Sequence, residues 1–167
     1  MKDAMVNEFS RPFSLDKLPL NGADVVITTD ADDRVALARR LKVPEIGSFS
    51  AHLHVSGDSD KARVQGEVTA EVVQECGVTL ELFSQTVTEP VDVVFVSDKT
   101  LADGAADPVD EPDRIVNGRI DLGALAAEFL ALGIDPFPRK PGAVFSYTED
   151  NSQESSPFSG LETLKNM

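Results

Sequence analysis

The sequence predicts an α+β fold, in which an antiparallel or mixed β-sheet, open or partly closed into a barrel, is packed by two to three short helices. Three observations carry this expectation. Two runs, at 46–57 and 63–72, alternate apolar and polar residues, the period of a strand with one face buried. The turn Gly57-Asp58-Ser59-Asp60 between them makes the pair an antiparallel hairpin. Two further stretches, at 30–41 and 121–132, space their apolar residues three or four apart, the period of a helix with one buried stripe. No repeat of the solenoid type is present, and strand order is not fixed by the pattern.

From the N-terminus, 9–15 and 23–29 read as short strands separated by Leu18-Pro19-Leu20-Asn21-Gly22. In the first helix Thr29 or Asp30 can cap, and Asp32 and Asp33 suit the first turn. Ala31, Val35, Ala38 and Leu41 make its expected buried stripe, and Arg39, Arg40 and Lys42 collect near its end, before Pro44. Along 46–57, Phe49, Ala51, Leu53 and Val55 face the core while Ser48, Ser50, His52, His54 and Ser56 face away. Along 63–72, Val64, Gly66, Val68, Ala70 and Val72 face the core. A third extended run, 85–96, points Val91, Val93 and Phe95 inward, and Pro90 marks an edge or a bulge. Rich in Asp and Pro, 98–113 reads as a flexible acidic loop. In the helix at 121–132, Leu122, Leu125, Phe129 and Leu132 form the stripe, broadened by Ala126 and Leu130. Three prolines then hold 135–142 extended. The expected organisation is one domain over 1–147, then a polar linker and a short helix, capped near Pro157, within 148–167.

Fifteen Lys and Arg against twenty-nine Asp and Glu leave a net charge of −14 over 167 residues. Such a surface opposes non-specific binding to phosphate backbones or anionic lipid and attracts basic partners. No apolar run is long enough for a membrane span and no signal-peptide pattern opens the chain, so a cytoplasmic protein is expected. The single cysteine, Cys76, fits a reducing compartment.

Catalytic, cofactor and metal sites are not supported. His52 and His54 are the only histidines, and two ligands among serines are too few for structural zinc, which takes four. Cys76 has no base or orienting group in its local sequence and reads as a buried small residue at a strand end. Gly104-Ala105-Ala106-Asp107 lacks the lysine of a phosphate loop. Two small basic clusters stand out against the acidic background: Arg39, Arg40 and Lys42, and Arg139 with Lys140, the second beside Phe137 as a stacking candidate. These six are the candidate partner-binding residues.

The run from Val72 through Cys76-Gly77-Val78-Thr79 to Glu81, then Ile120-Asp121-Leu122-Gly123 with Glu128-Phe129-Leu130, then Asp135-Pro136-Phe137-Pro138-Arg139-Lys140-Pro141-Gly142, resembles the YceD family. Pro157-Phe158 with Leu161 and Leu164 matches as well. The resemblance implies a role in accumulation of large-subunit ribosomal RNA, hence large ribosomal subunit biogenesis, with no enzymatic activity. Many members carry Cys-x-x-Cys where this chain has Cys76 and Thr79, so a zinc or redox reading does not transfer, and the Cys-x-x-Thr form looks like that of alphaproteobacterial members. The expected protein is therefore a monomeric assembly factor without a small-molecule substrate. It engages a basic ribosomal protein, slightly favoured by the charge, or precursor rRNA at the two basic clusters. The rival expectations are a hydrolase or transferase whose site gathers distant acids around His52 or His54, and a structural partner subunit.

Overall fold

The computed structural model describes residues 9–104 and 112–147. Their elements, in order, are β1 (Pro12–Ser14), β2 (Ala23–Thr28), α1 (Ala31–Leu41), β3 (Glu45–Gly57), β4 (Lys61–Glu75), β5 (Leu82–Val96), α2 (Asp98–Ala102), β6 (Asp113–Arg114), β7 (Arg119–Asp121) and α3 (Leu122–Gly133). The expected C-terminal helix, and 105–111 of the expected acidic loop, lie outside the described residues. Within that loop stretch, Asp98–Ala102 form a short helix whose N-terminus is capped by the Ser97 hydroxyl.

The fold is α+β, and the sheet is open rather than closed. Its order is β2-β3-β4-β5-β6, antiparallel except for the parallel β5–β6 pair; β1 and β7 form a separate antiparallel ribbon. The β3–β4 hairpin follows the expected register, with Ala51 opposite Val68 and Val55 opposite Val64, and a bulge between Ile46 and Ser48. Gly66 lets β4 come close to β3: a Cβ there would approach the His52 carbonyl oxygen to 1.9 Å. Pro90 sits on an edge, because β5 has a second neighbour only at Phe95 and Val96.

The inner face is a single cluster including Phe49, Leu53, Val55, Val64, Val68 and Val91, and α1 and α3 close over it. Phe9 packs edge-on against Phe49 at 5.4 Å between centroids. Asp30 caps α1, accepting from Asp33 N–H at 2.8 Å while the Asp33 carboxylate accepts from Asp30 N–H. Lys42 ends the helix in the left-handed conformation, φ 55°.

Both helical stripes differ from expectation in rotation. On α1, Ala38 is buried and Leu41 partly buried as expected, but Ala31 and Val35 face solvent, Val35 being 60% exposed, and Leu37 is buried in their place. The expected stripe passed over Leu37, which buries more apolar area than any residue in it and so sets which way the helix turns. On α3 the buried arc is Leu122, Gly123, Leu125, Ala126, Ala127 and Leu130, Phe129 is partly buried, and Leu132 is 76% exposed. The cause is close approach: a Cβ on Gly123 would come within 2.7 Å of Arg11 N, so the small side of α3 lies against the β1 segment and Leu132 turns away. No helix among the described residues is long and apolar enough to cross a membrane.

Candidate functional site

The three prolines that end α3 leave 135–142 without helix or strand, and the segment runs as a strap over the turn at 76–81 that joins β4 to β5. Its backbone is pinned. Gln74 Nε2 donates to the Asp135 carbonyl at 2.9 Å, Gly77 N–H to the Pro138 carbonyl at 2.9 Å, and Lys140 N–H to Cys76 Sγ at 3.3 Å. Lys140 Nζ pairs with Glu81 at 2.9 Å, and Phe137 N–H donates to Asp135 Oδ1 at 2.8 Å. Gln74 is the buried polar side chain among the described residues, and Gln85 donates to its Oε1, so its amide is used on both sides. Between the pins Phe137 remains 81% exposed, and Arg139 is exposed beside it.

Cys76 is fully buried, as expected, yet it does more than fill space. The Thr79 hydroxyl and the N–H groups of Lys140 and Thr79 donate to its sulfur and outweigh the burial that opposes charge, so its pKa falls from 9.0 to about 6. Thr79 thus supplies a donor to Cys76. Beside them, the Glu81 carboxylate raises the Lys140 ammonium, and Lys140 in turn lowers Glu81.

Lys42 of the first basic cluster lines a cleft whose other wall belongs to the strap that carries the second, although neither Arg139 nor Lys140 lines it. About 390 Å³ in volume, it is bounded by Lys42, Val43 and Pro44 on the α1 side and by Asp135, Pro136 and Pro138 on the strap side. Arg39 lies across Val43-Pro44 in a groove of about 470 Å³ with Val35 and Arg34, and Arg39 and Arg40 are exposed on the last helical turn. Of the six candidates Lys42 alone lines the cleft; Phe137 and Arg139 are exposed on the strap, and Lys140 is turned to Glu81. Glu75 and Asp135 also line the cleft, so its lining holds two carboxylates beside the one cation. Sequence reasoning missed Gln74, the thiol acceptor and Glu81 as the anchors that fix Phe137. The only local signal was the Cys76-Gly77 corner with Thr79 three residues on.

His52 and His54 lie on the outer face of the sheet, where His54 Nδ1 meets exposed Asp24 at 2.7 Å. Neither lines the clefts described here, and no group of three metal-type ligands occurs among the described residues. A third cleft, of about 340 Å³, includes Asp121, Arg119 and Glu128. The Asp121 carboxylate is already occupied: it accepts from Ser10 Oγ at 2.5 Å, Arg11 N–H at 2.8 Å and Ala124 N–H at 3.0 Å, capping α3. Burial raises its pKa, but these hydrogen bonds outweigh it and the net shift is downward. Arg11, whose backbone donates to Asp121, also pairs with Asp33 at 2.6 Å and covers the Phe9 ring at 4.7 Å.

No curated protein and no solved structure matches the chain. A family model described as "Large ribosomal RNA subunit accumulation protein YceD" matches residues 64–165, a span that holds Cys76 and the whole strap but begins after α1 and the two histidines.

Proposed function

We propose, from the premise that the chain belongs to the YceD family, that it is a non-enzymatic cytoplasmic factor supporting accumulation of large-subunit ribosomal RNA by binding the subunit precursor. The strap and the adjoining end of α1 are its contact with the RNA. The observation that carries the contact is the pinned strap with Phe137 standing 81% exposed between its anchors. A bulky aromatic fixed in water gains by covering, and a backbone already ordered loses little entropy when a partner arrives. Base stacking on such a ring is worth about 1–3 kcal/mol per base. Arg39, Arg40, Lys42 and Arg139 are cations for the neighbouring phosphates. Four phosphate contacts to a single strand give a log–log salt slope of about −3, a modest term that suits a −14 chain meeting RNA on one small area.

The site is tested with Phe137→Ser and Arg139→Glu, both exposed and outside the core. Each is expected to release the protein from large-subunit precursors in lysate while leaving its circular dichroism unchanged. Lys140 is a poor choice, because a glutamate there would face Glu81 and disturb the strap itself. Undiminished association of both variants would remove the strap from the contact surface.

A further inference from the structure

The outer face of the sheet is a surface that neither helix packing nor the strap uses. Register places Asp24, His54, Gln65 and Asp92 in one row across β2 to β5, Val26, His52, Glu67 and Pro90 in the next, and Ser48, Glu71 and Thr86 two rows further on. Glu45 and Glu75 continue the face at its far end. Six exposed carboxylates therefore share it, against Lys61 and Arg63, which both sit at the hairpin-turn end; Arg63 is held in a two-pronged pair with Asp92 at 2.7 and 2.8 Å. Among the described residues Glu45, Glu67, Glu71 and Glu75 have no cationic partner, whereas the carboxylates of Asp33, Glu81 and Asp98, off this face, are each paired with Lys or Arg. Much of what lies between the acids is Ser and Thr, short side chains that leave the carboxylates standing above a flat surface.

We infer that this face docks a Lys- and Arg-rich segment of another protein. Glu67, Glu71 and Glu75 recur every fourth residue of one strand, so they form a column with a spacing of about 13 Å that an extended cationic chain can follow. Charge complementarity selects the occupant: nucleic acid is repelled from six carboxylates, and a cationic polypeptide is drawn to them. The remaining parts of this chain are not complementary either. Residues 105–111 hold Asp107, Asp110 and Glu111 without a cation, and 148–167 hold Glu149, Asp150, Glu154 and Glu162 against Lys165. The inference shares with the proposed function only the premise that the chain is a binding protein, and its surface meets the cleft and groove of that contact only at Glu75 and Glu45.

The test uses the purified full chain and a synthetic twenty-residue Lys/Arg-rich peptide, titrated at low salt, with amide shifts followed by NMR. The double variant Glu67→Gln, Glu71→Gln, which leaves the cleft residue Glu75 in place, is set against a matched control that removes the same charge elsewhere, Asp16→Asn, Asp32→Asn. Expected is binding weakened about tenfold or more by the sheet variant and less than twofold by the control, with shifts confined to β3, β4 and β5. Equal weakening by both variants would reduce the effect to net charge and overturn the inference, as would a single-stranded RNA oligonucleotide shifting the same amides. Phe137→Ser and Arg139→Glu should leave peptide binding unchanged, so loss of the RNA contact and loss of this one are separate results.

Discussion

Cys76 holds the strap through its sulfur, and the donors around it make that role dependent on pH. Because the folded protein lowers the thiol to about 6 from 9.0, the thiolate is favoured by the fold. Its contribution is fully present above about pH 9 and is lost as pH falls through about 6. Urea unfolding of the wild type should therefore gain stability between those pH values more steeply than Cys76→Ala does, and parallel curves would rule the thiolate out as a latch. The same variant leaves the Lys140 N–H without its acceptor, so hydrogen exchange at 138–142 should quicken. That Cys76 is buried was legible in the sequence, from a lone cysteine beside a glycine at a strand end. Its acceptor role was not, because the donor at Lys140 lies 64 residues away and nothing local announces the meeting.

Among the elements, α3 depends on how it begins and on which side it buries. Asp121→Ala removes its cap together with the ties to Ser10 and Arg11, and should cost about 1–2 kcal/mol or more in denaturant unfolding. The penalty should shrink in acid, since the carboxylate's pKa is lowered in the fold and its contribution is lost as pH falls through that depressed value. Leu130→Ala should cost about 2–5 kcal/mol, whereas Leu132→Ala should stay within about 0.5 kcal/mol, although the two look alike in a periodic pattern. A comparable loss for both would put α3 in a different rotation. The long strands were legible because one buried face imposes strict alternation and a slip by one residue would invert it. Helix rotation was less so: Leu37 over Val35, and Ala127 over Leu132, are decided by what each helix packs on. β6 and β7, at two and three residues, are too short to impose any period.

At the scale of the molecule, charge is divided rather than spread. Among the described residues unpaired glutamates gather on the outer sheet face, while Lys42 lines the cleft beside the strap and Arg139 and the arginines on the last turn of α1 are exposed. The net −14 was plain from composition, but its division was not, because strand register brings Asp24, Glu67 and Asp92 onto one surface from three separate segments. The same limit applied to the candidate site: its cations and Phe137 were named from sequence, and the cleft between Lys42 and the strap exists only once α3 returns the chain to the end of β4. The proposed binding through these two surfaces predicts an association with the ribosome precursor that is electrostatic in character and sensitive to ionic strength. The most direct measurement is sedimentation of the tagged protein through a sucrose gradient of cell lysate at low and at raised salt. Enrichment with large-subunit precursors at low salt, released as salt rises, is the expected result; a protein that stays at the top of the gradient at both salts would contradict it.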